Sequence, residues 1–249
     1  MGDPLRLYGL RALVTSAASG IGEAVSRTLV KHGATVLAVD TINSGIEQHF
    51  KSVKGIDGRA ANLTDAARMP ALIEEAVEEL GGIDILICEF PLHAEAPLHD
   101  GDAQVDQLLE LRADLVMSIC RSALPHLKKS PTGRIISIGF LRSVFAVDGG
   151  ESFAKSERAL AALTRALGAE TGKFGITANY IQPGAIMTPV SRDVYKKDMV
   201  LRDYCIGQSA ASRLGEPVDV AKVALFLASD DATFVSGTGV LVDGGRAGP

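Results

Sequence analysis

The sequence predicts one α/β domain, residues 1–249, built on a doubly wound, seven-stranded parallel sheet. Three observations carry that reading. Short apolar runs alternate with longer helical segments from one end of the chain to the other. The runs are nearly continuous in Val, Ile, Leu and Ala, the pattern of strands covered on both faces rather than on one. No linker-like break or internal repeat interrupts the alternation over 249 residues, a length that suits a single such domain.

The elements follow in order. Arg11-Ala12-Leu13-Val14-Thr15 is the first strand; a turn of small residues from Ser16 to Gly22 leads into a helix through about Lys31, stopped by Gly33. Thr35-Val36-Leu37-Ala38-Val39 is the second strand, ending at Asp40, and the third lies at Gly58-Arg59-Ala60-Ala61. Asn62-Leu63-Thr64-Asp65 introduces a helix through Leu80, with Thr64 as its expected cap. The fourth strand is Ile83-Asp84-Ile85-Leu86-Ile87, and a long helix covers residues 103–129. Arg134 to Ile138 forms the fifth strand, residues 152–174 a second long helix, and residues 178–181 the sixth strand. After a loop over residues 183–189, a helix near 218–227 precedes the last strand at 240–242.

Composition narrows the function classes. The chain is 47% hydrophobic and 22% charged, with net charge −5 and no Trp, ordinary values for a globular protein. The absence of a basic stretch argues against nucleic acid as a partner. No apolar run approaches a membrane span, and Met1 to Arg11 lacks a signal-peptide pattern, so a soluble, cytoplasmic chain is expected. Cys88, Cys120 and Cys205 form no CxxC, and the five histidines fall in no ligand spacing. Disulfides and a metal site are therefore not expected.

In a doubly wound sheet the first strand-to-helix turn is where backbone N–H groups and a helix N-terminus meet a pyrophosphate. Here that turn reads Thr15-Ser16-Ala17-Ala18-Ser19-Gly20-Ile21-Gly22. It resembles the Thr-Gly-x-x-x-Gly-Ile-Gly loop of the classical short-chain dehydrogenases/reductases, with Ser16 in place of the first glycine. Asp40 stands where NAD-preferring members hold the adenosine ribose, and Asn62 where the family has an Asp near the adenine. Pro183, Gly184 and Thr188 match the loop beside the nicotinamide amide. Ser236-Gly237-Thr238-Gly239 and Asp243-Gly244-Gly245 match the C-terminal strand motif. The resemblance runs along the whole chain and implies the family's Rossmann-like fold. Ser16, Ser19, Gly20, Ile21, Gly22, Asp40, Asn62, Pro183, Gly184 and Thr188 are its vestigial cofactor positions.

The family's chemistry does not carry over. Its members use a Tyr as acid/base, a Lys four residues later that lowers the Tyr pKa and holds the ribose, and a Ser that holds the substrate oxygen. The resemblance puts Phe153, Glu157 and Phe140 at those positions, and Arg112 at the Asn of the central helix. The Asn-Asn-Ala-Gly element after the fourth strand reads Cys88-Glu89-Phe90-Pro91. Independently of alignment, the residues four places after Tyr8, Tyr180, Tyr195 and Tyr204 are Ala12, Gly184, Met199 and Gln208, so no Tyr-x-x-x-Lys exists. Phe has no titratable proton with which to serve an alcohol oxygen.

Glu89, Arg112, Glu157 and Arg142 could gather near the vacated pocket. That leaves open a divergent enzyme acting by itself, either an NAD-dependent oxidoreductase with non-standard residues or a non-redox enzyme in the manner of the halohydrin dehalogenases. The bland reading of those charges is a structural ion pair, and that of Cys88 a buried strand-end thiol. Two long helices, the second carrying Ala154, Leu160, Ala161, Leu163, Ala166 and Leu167, together with the last helix and strand, match the family's two assembly surfaces, although some of these apolar positions are expected to serve the chain's own core. Lost catalytic positions beside retained interfaces are similar to the inactive subunits of heteromeric short-chain dehydrogenases. Such subunits occur in 2-(hydroxybenzyl)succinyl-CoA dehydrogenases of anaerobic toluene degradation and in 3-ketoacyl reductases. The resemblance implies a hetero-oligomer, a tetramer by the family's habit, with NAD held by an active paralogue and no cofactor in this chain.

Overall fold

In a computed structural model, residues 6–90, 103–139 and 151–245 are described. Seven strands, β1 (Arg11–Thr15), β2 (Thr35–Asp40), β3 (Ile56–Ala60), β4 (Ile85–Cys88), β5 (Arg134–Ile138), β6 (Thr177–Pro183) and β7 (Gly239–Val242), form one sheet. Their order is β3-β2-β1-β4-β5-β6-β7, and every pair is parallel. The strand order reverses between β1 and β4, so the crevice beyond their C-terminal ends is the topological switch point.

The helices are α1 (Gly20–Lys31), α2 (Ile46–Phe50), α3 (Met69–Leu80), α4 (Ala103–Leu127), α5 (Glu151–Thr171), α6 (Pro189–Lys197), α7 (Met199–Gly207) and α8 (Pro217–Ala228). Strand alternation divides the core in two. Ala12, Val14, Val36 and Ala38 face Val25 and Leu29 of α1 and Val220 and Ala224 of α8. Leu13, Leu37 and Val39 face Leu72 and Ile73 of α3 and Ile119 and Ala123 of α4. Successive residues of a strand point to opposite faces, so a continuous apolar run fills both layers at once.

Several details differ from the sequence reading. The helix before β4 begins at Met69 without a side-chain cap and is preceded by a 3₁₀ turn over Ala66–Arg68, which Asp65 caps by accepting the Ala67 N–H at 2.9 Å. Thr64 instead directs its N–H and hydroxyl to Asn62 Oδ1, at 2.9 and 2.8 Å. Helices α2, α6 and α7 were not anticipated. Thr188-Pro189 with Ser191 forms a capping box with Pro in the first turn of α6, and Asp198 caps α7, signals present in the sequence. Leu160 and Leu167 pack into the chain's own core, and Leu160 also lines the groove between α4 and α5. None of the described helices is long and apolar enough to cross a membrane, and the described residues hold no cluster of His, Cys, Asp and Glu that could bind a metal.

The N-terminal ends of the central strands are locked by Asp84. Its carboxylate accepts the Arg11 backbone N–H at 2.9 Å and the guanidinium at 2.8 and 3.0 Å. Its own N–H bonds Arg11 O, and its carbonyl accepts the Arg134 N–H, each at 2.9 Å. Asp84→Ala is expected to cost about 2–3 kcal/mol, the range for lost hydrogen bonds to a charged group. Chemical denaturation measures it, and a loss below about 0.5 kcal/mol would place the lock elsewhere.

Candidate functional site

Strand β1 ends at Thr15, and the chain must then turn sharply to start α1. Ser16 makes that turn with φ of 54°, the left-handed region that costs an L-residue of this kind roughly 1–2 kcal/mol and that glycine enters freely. Ser16 is buried, and its Oγ has no hydrogen-bond partner among the described residues. Gly22 is needed for a different reason: a Cβ there would run into the Ser16 carbonyl. The loop geometry of a dinucleotide fold therefore persists with a side chain forced into it.

Around this loop the chain's own groups answer the N–H donors. Both Asp40 carboxylate oxygens are engaged by backbone: Oδ2 by the Ala18 N–H at 2.8 Å and Oδ1 by the Thr41 N–H at 2.6 Å. The Glu89 carboxyl lies near the backbone N–H of Gly22 at the start of α1. Glu89 is half-buried as a residue, but its Oε2 is shut from water and has no hydrogen-bond partner among the described residues. Burial and the nearby Asp40 charge push the carboxyl up from 4.5 to about 8, against the pull of Arg112 and the Gly22 N–H. Thr15 holds the Glu89 backbone: its Oγ1 accepts the Glu89 N–H at 2.9 Å and donates to the Glu89 carbonyl. From the far side Thr188 closes on the loop, with Cγ2 3.4 Å from where a Gly20 Cβ would lie.

The position that resembles the catalytic Lys holds Glu157, on α5. Its Oε1 lies 3.6 Å from Arg112 Nη1 on α4, and both side chains are buried. Arg112 also donates to the Ile138 carbonyl at 2.6 Å and to Ser156 Oγ at 3.3 Å. Burial pushes the guanidinium down from its usual range, while Glu157 and then Glu89 oppose that shift. Three of the four charges expected near the pocket are thus together, Arg112 between the two carboxyls. Cys88 is buried, and its neighbour Cys120 and burial push its thiol up, away from nucleophile chemistry.

The remaining expected positions divide. Ser19 precedes α1 without a side-chain cap, and Ile21 is buried in the core. Asn62 is exposed and spends its Oδ1 on Thr64. Pro183 pairs with Val242 of β7, the Gly184 N–H bonds Val242 O at 2.9 Å, and Thr188 caps α6. Pro91, Phe140 and Arg142 lie outside the described residues, and of Phe153 only its place on α5 is described.

The comparisons with known proteins agree with this geometry. The family described as enoyl-(acyl carrier protein) reductase matches residues 16–247. The chain belongs to the short-chain dehydrogenases/reductases. Among its relatives, the 3-oxoacyl-[acyl-carrier-protein] reductase FabG of Thermotoga maritima is 28% identical over 97% of this chain and 99% of its own length. The oxidoreductase UcpA of Salmonella typhimurium is 30% identical over 98% of this chain and 97% of its own. The FabG reductase of the same organism is 30% identical over 95% and 97%.

Two outcomes follow from the buried charges. A carboxyl held near 8 in the folded chain and near 4.5 when unfolded binds fewer protons on unfolding between those values, so it lowers stability progressively as pH rises from about 4.5 to about 8. Glu89→Gln should therefore gain on the wild type across that window, by at most about 5 kcal/mol, and then run parallel. Denaturant titrations at pH 5, 7 and 8.5 test this, and a constant offset would contradict it. Glu157→Lys would bury an ammonium against Arg112 and should cost about 3–5 kcal/mol. Arg112→Asn added to it should recover most of that loss in the same assay; simple additivity would mean the two residues do not interact.

Proposed function

We propose that this chain is the non-catalytic subunit of a heteromeric short-chain dehydrogenase. Its partner is an active paralogue, which holds NAD and oxidises an alcohol of the hydroxyacyl-CoA type. The observation that carries the reading is the buried Arg112–Glu157 pair. Where the family's chemistry needs a cation free to act on a Tyr and a ribose, this chain has an anion committed to a structural partner. With Phe at the acid/base position and no Tyr-x-x-x-Lys elsewhere, no group remains to exchange a proton with an alcohol by that route.

Assembly is supported by what lies on the outside. Between α4 and α5 runs a largely apolar groove of about 420 Å³, lined by Ala113, Met117, Ala159, Ala162, Leu163 and Ala166. Four of these are small residues exposed to solvent in the isolated chain, a surface on which a second helix pair can approach closely. A second apolar surface surrounds the edge strand β7, where Phe234, Leu241, Val218 and Phe226 are exposed. Two such faces fit a tetramer with two kinds of subunit.

One observation favours a second reading, a divergent enzyme acting alone. A carboxyl titrating near 8 beside a guanidinium is a combination found at acid–base sites. Against it, Arg112 is already bonded to Ile138 and Ser156 and paired with Glu157.

Co-expression with the paralogue encoded beside it, followed by tag pull-down and native mass spectrometry, tests the assignment. A complex containing both chains is expected, with no alcohol-dependent NAD reduction by this chain alone. Ala162→Glu, on the exposed groove, should abolish the complex while leaving the chain folded. Turnover by the isolated chain at ordinary rates of about 1–10³ s⁻¹, or assembly only with itself, would refute the assignment.

A further inference from the structure

We propose that the buried guanidinium of Arg134 and the hydroxyl of Thr177 form a binding site for a small monovalent anion such as chloride. The site lies at the N-terminal end of the sheet, opposite the crevice, and is independent of the subunit assignment.

Register brings the two residues together. Arg134 opens β5, Thr177 opens β6, and they are direct partners in the parallel pairing, on strands about 4.8 Å apart. Ile136 and Ile138, two and four residues after Arg134, lie in the core layer shared with α8, as does Ile181, four residues after Thr177. Strand alternation therefore points both side chains to the α8 side. The contacts agree: Arg134 Nη2 donates to the Ser229 carbonyl, just past α8, at 3.4 Å. Arg134 is 1% exposed and Thr177 4%.

Donors outnumber acceptors here. Arg134 Nε and Thr177 Oγ1 are shut from water and have no hydrogen-bond partner among the described residues. Thr132 Oγ1, in the turn before β5, is in the same condition. The neighbouring carbonyls are engaged elsewhere. Gly133 O takes both Arg134 Nη1 and the Thr177 N–H, each at 3.1 Å, which uses its two lone pairs. Ile176 O accepts the Thr171 hydroxyl at 3.3 Å. Buried polar groups left over in this way are met in native proteins by a bound water or an ion.

Charge decides between the two. A buried guanidinium needs a counter-charge, and Arg stays protonated. The carboxylate paired with Arg134 is Asp230, 3.6 Å from Nη2, and its side chain is 78% exposed, so solvent screens it. The Asp84 carboxylate at the same end of the sheet is spent on Arg11. Burial accordingly pushes the Arg134 guanidinium down from its usual range, with Asp230 pulling the other way. The Nε edge thus presents a positive charge beside hydroxyls free to donate, and one halide-sized anion would satisfy both the donors and the charge. Pro131 is exposed and Thr132 half-buried in the turn above, so the pair lies close beneath the surface.

Bromide is the probe in the test. Thermal unfolding of wild type and Thr177→Val is followed from no bromide to about 300 mM, with gluconate holding the ionic strength constant. General salt effects act on both chains alike, whereas a bound anion stabilises only the chain that binds it. The Tm of wild type should gain about 2–4 °C on Thr177→Val across that range. Thr177→Ser, which keeps the hydroxyl, should retain the wild-type response. In a crystal of the full chain soaked in bromide, the anomalous signal should place an ion between Arg134 Nε and Thr177 Oγ1. A Tm difference that bromide leaves unchanged, or an anomalous map with bromide only elsewhere, would overturn the proposal. Should Thr177→Val fail to fold, the anomalous map decides alone.

Discussion

Parallel strands that diverge at a switch point leave a crevice ringed by N–H groups, and a protein must answer those groups with something. In this chain the answer is internal. Val14 and Ile87 form the last backbone pairing of β1 with β4, and beyond it the Thr15 side chain carries the connection to Glu89. That bridge sets where Glu89 lies, and Glu89 in turn meets the first turn of α1. The left-handed Ser16, the close approach of Gly22 and the engagement of Asp40 all belong to the same turn. Asp40 thus ties the loop to the end of β2 through the Ala18 N–H.

The second departure from the family pattern, on α4 and α5, obeys the same logic. A buried cation or anion alone would cost several kcal/mol. Arg112 and Glu157 arrive together, across two helices that pack against each other, and the Ile138 carbonyl and Ser156 take further guanidinium donors. A single change at either position would have left an unpaired buried charge. The pair therefore reads as one coupled replacement, and it makes the return to a lysine at position 157 a two-residue problem.

The fold was legible because its signals are long and redundant. Each buried strand is a run of four to seven residues, and continuous apolar runs between helices leave little choice of architecture. The gathering of Glu89, Arg112 and Glu157 was also legible, since family spacing brings their elements to one end of the sheet. Two things were not. Helices α6 and α7 carry few buried residues, Ser191, Tyr195 and Leu201 among them, so an apolar period is faint and only their caps betray them. The placement of the Glu89 backbone depends on a tertiary bond with Thr15, 74 residues away, and no local pattern encodes it. The same limit explains Leu160 and Leu167: helical spacing shows a stripe but not whether it faces the sheet or a neighbouring subunit.

The two altered regions differ from the outer surfaces in one instructive respect. Inside, Asp40 and Arg112 are partnered within the chain: Asp40 by two backbone N–H groups, Arg112 by a carboxylate, a carbonyl and a hydroxyl. Outside, Phe234 and Leu241 near the edge strand and the alanines of the α4–α5 groove are left without cover in the isolated chain. The interior charges are thus largely paired within the chain, although Ser16 Oγ and Glu89 Oε2 are buried without a hydrogen bond among the described residues, while the outer apolar surface is of the kind whose burial against another surface is favourable.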